Sequence, residues 1–242
     1  MEDGSTDESA SIAKRMAEID HRIQYISDKT NRGLVYRLNQ SVSLAKGEYY
    51  ARMDADDIMA VTRIEKEVSY LINNPNIDVL GSSAMLIDEN NVINGSQDMG
   101  GVGDFFIHPS VMGRTTWFKS NPYDAKAFRI EDKDLWLRTH NSSQFFNIQE
   151  PLLFYRAFAN VDLSHLLASN KRQRLLFKQY KKYNHSLAWG LINILKTYFK
   201  DIVFFLMFSL GDGKMYARTR SRNHVPSNLC LTMSDLRISI EK

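Results

Sequence analysis

The first half of the chain alternates between apolar residues at helical spacing and short apolar runs of strand length. Residues 9–19 follow a polar turn and are predicted to form the first helix. A second helix, ending at Gly47, is predicted by one apolar face formed by Leu34, Leu38, Val42 and Ala45. In a third helix, Thr62 and Glu65 fit a capping box, and residues 73–75 end the helix. Its predicted buried stripe consists of Ile64, Val68, Leu71 and Ile72.

Strands are predicted between and after these helices. The apolar runs are residues 22–27, 49–53, 77–81 with a continuation at 84–87, 105–112 and 145–158. A further helix is predicted over residues 131–141, with Leu135 and Trp136 packed inward. The polar, glycine-rich stretch 88–103 is predicted to be a surface loop. Because helices and strands alternate, the sequence predicts an α/β sheet protein.

The composition is that of a soluble protein able to bury a core, with 242 residues of which 43% are hydrophobic and 24% charged. The single cysteine, Cys230, excludes an intramolecular disulfide and fits a reducing compartment. The first residues are acidic and polar, which a signal peptide would not be. The longest strongly apolar run, residues 202–210, is too short for a bilayer span, which takes about 20 residues. We therefore expect a cytoplasmic protein, with peripheral association on the cytoplasmic face of the membrane left open.

The charge is distributed unevenly around its net value of +3. Residues 171–222 hold twelve Lys or Arg and two acids, whereas the rest of the chain is acidic. A basic segment suits anionic lipid or nucleic acid, but no nucleic-acid-binding module accompanies it, so nucleic acid is not expected as a partner. Between Ala188 and Phe205, apolar residues recur at helical spacing with Lys196 and Lys200 among them. This pattern suits either a helix packed on the rest of the protein or one that lies on an anionic membrane surface. Basic residues that would assist are Lys171, Arg172, Lys181, Lys182 and those at 218–222.

Three carboxylates stand together where a buried strand is predicted to end, at Asp54, Asp56 and Asp57. Mg²⁺ and Mn²⁺ are hard cations that prefer oxygen ligands and often share a site with substrate phosphates, so one or two protein carboxylates suffice. The quartet 54–57 therefore predicts a divalent metal beside a diphosphate group. Asp is also common in turns, and Asp57 equally suits a residue that holds the loop.

Short motifs with chemical side chains follow one another in a fixed order. They are Glu2–Asp7, Asn31-x-Gly33 with Asn39, Ala45–Tyr49, Asp54–Asp57, His108–Ser110 and Glu131–Arg138. Together, over about residues 2–158, they resemble the family-two inverting glycosyltransferases. The resemblance implies the nucleotide-sugar transferase fold called GT-A, an α/β fold in which a mixed central sheet carries helices on both faces. It also implies a catalytic domain at 1–160, and the helical spacing and the charge pattern predict a mainly helical basic region at 161–242.

The same resemblance assigns roles to the carboxylates. Asp3 resembles the residue that contacts the nucleoside. Asp54 and Asp56 resemble the pair that meets ribose and metal, and Asp56 is favoured for direct coordination of Mn²⁺ or Mg²⁺. Asp132 resembles the general base, because an inverting transfer needs a carboxylate on the face opposite the leaving group. The alternative is that Asp132 and Glu131 cap the helix that follows.

Further positions are candidates on the acceptor side or near the nucleotide. The acceptor-side candidates are His108, Glu131, Trp136 and Arg138. His108 equally suits a hydrogen-bonded structural role, and Trp136 suits the core beside the site. Arg138 suits pairing with a carboxylate or with a phosphate. Asn31 and Asn39 suit hydrogen bonds near the nucleotide, or else ordinary polar positions on a loop and a helix surface.

One departure from the family concerns the start of the chain. Members begin with a strand, a helix and a second strand before the segment that here begins at Glu2. We therefore expect this chain to lack the first βαβ unit, either as a truncated product or as one completed by another chain. Loss of a central strand leaves neighbouring strand edges unpaired. The prediction is weak or no transferase activity for the chain alone, and robust turnover of a nucleotide sugar would contradict it.

Three functions are weighed on this basis. The leading one is metal-dependent inverting transfer of a sugar from a UDP- or GDP-type donor to a saccharide or lipid-linked acceptor in bacterial surface polysaccharide or lipopolysaccharide synthesis. The second is a catalytically inactive remnant, or a half that needs a partner chain. The third, a nucleotidyltransferase, would call for a glycine-rich phosphate loop near an N-terminal strand, and the sequence shows none. Homo-oligomer formation is left open.

Overall fold

A computed structural model describes residues 1–98, 105–156 and 162–211, and within these ranges a mixed sheet is flanked by helices. The strands are β1 (Tyr49–Ala51), β2 (Ile58–Met59), β3 (Val79–Ile87), β4 (Ile93–Gln97), β5 (Met112–Arg114) and β6 (Phe145–Arg156). The helices are α1 (Ser9–Ile19), α2 (Leu34–Leu44), α3 (Arg63–Asn73), α4 (Thr115–Ser120), α5 (Glu131–Thr139), α6 (Leu163–Phe177) and α7 (Leu187–Gly211). Short 3₁₀ turns cover His108–Ser110, Ala125–Ala127 and Tyr180–Tyr183.

The sheet follows the order β1-β5-β3-β6-β2, and β4 pairs with β3 outside that path. β3 and β6 are parallel, and the other pairs are antiparallel. All nine residues of β3 are buried, as expected for a strand covered on both faces. β6 is buried only in its second half. The predicted α/β class with a mixed central sheet is confirmed.

An aromatic cluster fills the space between the sheet and its helices. The ring of Trp136 in α5 lies 4.9 Å from that of Phe106, 5.7 Å from that of Phe145 and 6.1 Å from that of Trp117, measured between centroids. Most of these contacts are edge-to-face, the arrangement that aromatic quadrupoles favour. Trp136 is therefore a core residue, and it fixes α5 against the sheet.

Two of the predicted strands are wrong. Residues 22–27 form no strand, and a single backbone hydrogen bond of 2.9 Å, from Glu2 N–H to Ile26 O, joins them to the start of the chain. His108 lies in a 3₁₀ turn, and the strand predicted around it begins only at Met112. Pro109 accounts for this difference, because it has no N–H for a strand ladder.

The predicted surface loop at 88–103 is partly wrong. Residues Ile93–Gln97 form β4, which pairs with β3, while residues 99–104 lie outside the described ranges. The last two residues of the predicted strand 145–158 also lie outside the described ranges.

The helix α3 has the predicted length but not the predicted buried face. Thr62 makes no side-chain capping bond, so the capping box is wrong. Ile64 and Ile72 are 40% and 62% exposed, whereas Arg63 and Glu67 are 1% and 0% exposed. The cause is an ion pair one helical turn apart, in which Arg63 Nε donates to Glu67 Oε1 at 3.0 Å. A buried pair of this kind replaces part of the apolar stripe.

The C-terminal helices α6 and α7 form a hairpin, and the predicted helical C-terminal segment is confirmed over the described residues. The two helices are joined by Asp201, which accepts hydrogen bonds from Asn170 at 2.7 Å and Arg174 at 2.5 Å. None of the helices in the described ranges is long and apolar enough to cross a bilayer. A domain boundary at residue 160 stays a prediction, because residues 157–161 lie outside the described ranges.

Candidate active site

The carboxylates of Asp54, Asp56 and Asp57 meet in the loop that follows β1. One oxygen from each lies within 4.8 Å of the other two. Burial raises the pKa of Asp57 to about 6 and also raises that of Asp54, and the neighbouring Asp56 adds to both effects. Asp57 Oδ2 is buried and has no hydrogen-bond partner among the described residues. Hard oxygen donors, crowded negative charge and one unsatisfied buried oxygen are what a divalent cation would relieve, so the residues fit Mn²⁺ or Mg²⁺.

The shape of this loop is set by Arg156 at the end of β6. Its backbone N–H donates to Asp57 Oδ1 at 2.9 Å, and its Nε donates to Asp56 O at 2.8 Å. Its Nη1 donates to Asp88 O, and its Nη2 donates to Asn91 Oδ1 at 2.7 Å. Asp57 thus holds the loop and also belongs to the carboxylate cluster. Sequence reasoning missed Arg156, because a residue 100 positions away carries no local signal.

Arg52 brings a buried positive charge next to the cluster. The residue is 6% exposed, and its Nη2 donates to Asp54 Oδ1 at 2.6 Å. Its Nε and Nη1 are buried without a hydrogen-bond partner among the described residues. Its charge also opposes the burial that raises the pKa of Asp132, and it adds to the burial that lowers the pKa of His108. Arg52 is therefore bonded to the Asp cluster, and its charge also acts on the start of α5. The sequence signal was a charge inside the apolar run 49–53, because a buried Arg needs acidic partners.

The sheet brings His108 and Asp132 to the same place. Arg52 N–H donates to Val111 O at 2.9 Å, which extends the β1–β5 ladder toward the turn at His108. The His108 ring lies 6.3 Å from the Trp136 ring, measured between centroids. Trp136 follows Asp132 by one turn of α5, so the two side chains share a helix face. The candidate base and the candidate metal ligands thus both interact with the charge of Arg52.

The two acids at the start of α5 are in different surroundings. Asp132 Oδ1 accepts a hydrogen bond of 2.7 Å from Lys133 N–H, and burial raises the pKa of Asp132. Glu131 is buried, its Oε2 has no partner among the described residues, and burial also raises its pKa. Ile130 occupies the N-cap position, while Asp132 accepts a hydrogen bond from an N–H of the first turn, so the base role and the helix-capping role of Asp132 both stay predictions. A raised pKa suits a group that accepts a proton near neutral pH.

His108 and Tyr123 form a neutral hydrogen-bonded pair. His108 Nε2 and Tyr123 Oη are 3.0 Å apart. Burial lowers the pKa of His108 well below its usual value and raises that of Tyr123, so both are uncharged at neutral pH. The side-chain amide of Asn39 holds Tyr123 in place, since Nδ2 donates to Tyr123 O and Oδ1 accepts from Tyr123 N–H, both at 2.9 Å. Asn39 therefore acts on the site through Tyr123.

Asp3 already accepts hydrogen bonds from the turn before α2 and from α2 itself. It accepts hydrogen bonds from Arg32 N–H at 2.8 Å, Gly33 N–H at 2.9 Å and Arg37 Nε at 2.8 Å. Burial alone would raise the pKa of Asp3, but these hydrogen bonds hold it below the usual value. Asp3 thereby fixes the turn that precedes α2.

Two cavities divide the candidate residues between them. A cleft of about 500 Å³ is lined by Asp3, Arg52 and Asp54, among others. A larger cavity of about 1000 Å³ is lined by Asn31 and Asn39 and has no carboxylate among its lining residues. Asp3 and Asp54 thus line one cleft, whereas Asn31 and Asn39 line the other cavity.

Arg138 pairs with a carboxylate, one of the two uses that its sequence position suits. Its Nε donates to Asp134 Oδ2 at 2.7 Å, and its Nη2 donates to Pro122 O at 2.8 Å. The first bond joins two residues one turn apart within α5, and the second ties α5 to the segment at Pro122, so the described contacts of Arg138 are structural.

Comparison with known proteins places this geometry among sugar-transferring enzymes. Residues 1–142 match the family model described as Glycosyl transferase family 2. An uncharacterized glycosyltransferase of Methanocaldococcus jannaschii, MJ1057, is 32% identical over 218 residues, which is 82% of this chain and 73% of that protein. The O-antigen biosynthesis glycosyltransferase WbnJ of Escherichia coli is 29% identical over 165 residues, which is 63% of this chain and 64% of that protein.

Solved structures show the same fold at low sequence identity. TarS of S. aureus in complex with UDP-GlcNAc has a TM-score of 0.59 and 15% identity, over 86% of this chain and 64% of that one. The mannosyltransferase PcManGT of Pyrobaculum calidifontis, in complex with GDP-Man and Mn²⁺, has a TM-score of 0.57 and 11% identity, over 98% of this chain and 71% of that one. The implied GT-A fold is therefore confirmed. The chain spans between about two thirds and three quarters of the length of these four proteins.

Proposed function

Because the chain belongs to glycosyl transferase family 2, we propose that it transfers a sugar with inversion from a UDP- or GDP-type donor to a hydroxyl of a saccharide or lipid-linked acceptor. The observation that carries this proposal is the cluster of three carboxylates at Asp54, Asp56 and Asp57, in which Asp54 is hydrogen-bonded to the buried Arg52 and the charge of Arg52 also acts on Asp132. A cation held by the carboxylate cluster would bind the donor diphosphate, and Asp132 would take the proton of the acceptor hydroxyl.

In the proposed reaction Asp132 takes the proton from the acceptor hydroxyl while the oxygen of that hydroxyl attacks the anomeric carbon of the donor sugar. The attack comes from the face opposite the leaving nucleoside diphosphate, so the configuration at that carbon inverts. Burial raises the pKa of Asp132, which makes its carboxylate a stronger base than an exposed aspartate. Neutral His108 and Tyr123 add no charge beside it.

Asp56 and Asp54 are the residues that we propose to hold Mn²⁺ or Mg²⁺. Bound there, the cation would offset the charge of the donor diphosphate and of the nucleotide that departs. Support comes from the three carboxylates within 4.8 Å and from the Mn²⁺ in the complex of PcManGT with GDP-Man. The free donors on Arg52, Nε and Nη1, are proposed to meet the same anionic group.

A place in bacterial surface polysaccharide synthesis is proposed from the relatives. WbnJ, named for O-antigen biosynthesis, aligns with 63% of this chain. The donor sugar, the acceptor and the linkage depend on loops, of which residues 99–104 lie outside the described ranges.

Donor binding is the first test, because weak turnover by this chain alone stays a prediction. We would titrate UDP and GDP into the purified chain by calorimetry, with and without Mn²⁺. Metal-dependent binding of one nucleotide is expected, and Asp56→Ala should weaken it at least about tenfold, since a ligand carboxylate is lost. The matched control is Glu18→Ala, which removes an exposed carboxylate on α1.

Two results would overturn the proposal. If the nucleotide binds as tightly in EDTA, and to Asp56→Ala, as it binds to the wild type with Mn²⁺, the proposed metal site is wrong. Absence of any nucleotide binding by a folded chain, shown by a cooperative thermal transition in the same sample, would favour the non-catalytic remnant.

A further inference from the structure

An unbroken apolar surface runs along the outer side of α7. Ten large apolar side chains between Leu187 and Leu210 are exposed, including Leu195 and Phe199 at 67% and Leu210 at 79%. At a rise of 1.5 Å per residue, the helix is about 37 Å long, so the surface is far larger than scattered exposed residues would give. Among the described residues, no other element covers it.

The opposite face of α7 is fixed against α6, so the apolar face cannot turn inward. Thr197 and Met207 are buried in the hairpin. At Gly190 the helices approach so closely that an added Cβ would lie 2.9 Å from Phe177 O. Asp201 is held on the inner side by Arg174. The outward direction of the apolar residues is therefore a property of the hairpin packing.

The charges around this face have one sign. Residues 163–210 contain eight Lys or Arg and a single acid, Asp201, which is bound by Arg174 on the inner side. Lys196 and Lys200 are exposed and line a surface groove of about 590 Å³ together with apolar side chains of α7. The predicted basic cluster at 218–222 lies outside the described residues. An apolar face with basic residues beside it is complementary to a lipid surface with acidic head groups.

We propose that α7 lies in the plane of an anionic lipid bilayer surface, with its outer face among the acyl chains near the head groups and its lysines on phosphate. The helix does not meet the requirements for crossing a bilayer, so it lies on the surface. A second copy of the chain fits less well, because pairing two such faces would bring like charges together.

This binding would place α5 close to the membrane. α6 contacts α5 directly, since Lys133 Nζ donates to Gln173 Oε1 at 2.9 Å and lies 5.0 Å from the centroid of the Phe177 ring. Lys133 is the residue after Asp132. Lipid binding does not depend on the proposed transfer reaction, because vesicles can be tested without donor or acceptor.

The test is flotation of the full chain with vesicles of phosphatidylcholine alone or mixed with phosphatidylglycerol. We expect flotation with the anionic vesicles and its loss at high salt. The triple variant Leu195→Gln, Phe199→Gln, Ile202→Gln should lose flotation at every salt concentration. Lys196→Gln with Lys200→Gln should weaken binding about tenfold to thirtyfold. The matched control, Lys14→Gln with Arg15→Gln, removes two exposed charges from α1 and should bind like the wild type.

Folding and self-association are measured on the same samples. Every variant should keep the thermal transition of the wild type, because the changed side chains are exposed. Equal binding to neutral and anionic vesicles, or loss of binding in the α1 control, would overturn the role of the α7 lysines. The proposal would be overturned in favour of a second copy by two results together. The wild type would form a stable dimer and not float, and the triple variant would be a monomer.

Discussion

At the scale of single residues, the site depends on charges that are buried and only partly compensated. Arg52 has one partner, Asp54, and leaves two N–H groups without one among the described residues. The motif 54–57 could be singled out from sequence, although Asp is also common in turns. Arg52 left only the signal of a charge inside an apolar run, and Tyr123 left none, since its role depends on burial and on contacts distant in sequence.

Asp132→Asn tests the proposed base. The amide cannot accept the proton, so transfer should fall by about 10²- to 10⁴-fold while donor affinity stays unchanged. The measurement is the rate of nucleoside diphosphate release with the donor that calorimetry identifies. Glu18→Gln, a change of an exposed carboxylate on α1, is the matched control.

The pH profile of the same enzyme gives a second readout. Asp132 must be ionised to act, and burial raises its pKa above the ordinary 3.8, so the wild-type rate should fall as the pH is lowered through that raised pKa. The Asp132→Asn variant should lack this acid limb. A variant with wild-type rate and an unchanged acid limb would assign the base to another residue.

At the scale of elements, α3 forms where the apolar spacing predicts a helix, but some of the residues that it buries are not the predicted ones. Arg63 and Glu67 are buried in place of Ile64 and Ile72, and Arg63 Nη2 donates to Arg52 O at 3.0 Å. The period of the sequence predicts that a helix forms and how long it is. It cannot distinguish an apolar stripe from a buried ion pair one turn apart, because both repeat at the same spacing.

Arg63→Met should destabilise the protein strongly, because Glu67 is left as an unpaired buried carboxyl. The expected loss is about 3–5 kcal/mol of unfolding free energy at pH 8, measured by urea denaturation. The control is the double variant Arg63→Met, Glu67→Leu, which removes both charges and should recover most of the loss. Equal losses in the single and double variants would mean that the loss of stability comes from changing the buried face of α3, and not from leaving Glu67 without its partner.

The pair also predicts a pH dependence. Burial raises the pKa of Glu67 from 4.5 to about 7 in the folded protein, so the folded state binds the proton more tightly than the unfolded chain. The contribution of Glu67 to stability is therefore fully present below pH 4.5 and is lost as the pH rises toward 7. Glu67→Gln should remove this slope from the unfolding free energy measured at a series of pH values.

At the scale of the whole molecule, one carboxylate joins the C-terminal hairpin to the sheet domain. Asp134 in α5 accepts hydrogen bonds from Tyr183 Oη at 2.6 Å and Lys182 Nζ at 2.9 Å, in addition to Arg138. Burial alone would raise the pKa of Asp134, but these partners lower it below the ordinary value. The junction is thus made by charge-assisted bonds, which are stronger than neutral ones.

Asp134→Asn should loosen this junction. We expect the free energy of unfolding to fall by about 1.5–3 kcal/mol at neutral pH, because bonds to a charged acceptor are lost. Thermal or urea unfolding measures this change. Since the folded pKa is lowered, the wild-type advantage is present above pH 3.8 and should disappear as the pH falls below it. Asp124→Asn, which changes a more exposed partner of Lys182, should cost less than about 1 kcal/mol. An equal cost in the two variants would contradict the assigned junction.

The fold as a whole could be predicted because the motifs follow one another in the order of the family. The wrong strands at 22–27 and 105–112 were short apolar runs, and whether such runs pair depends on neighbours that sequence does not reveal. The outward direction of α7 was likewise open, since its pattern suits a packed helix and a surface helix alike.

The position of β6 has a consequence for dissecting the protein. The family match ends at residue 142, yet β6, at Phe145–Arg156, lies between β3 and β2 inside the sheet, and its last residue holds the loop of Asp56 and Asp57. A fragment that ends with the family match would thus lose an interior strand and the Arg156 contacts that hold the carboxylate loop. The end of the family match and the end of the folded sheet are different places in this chain.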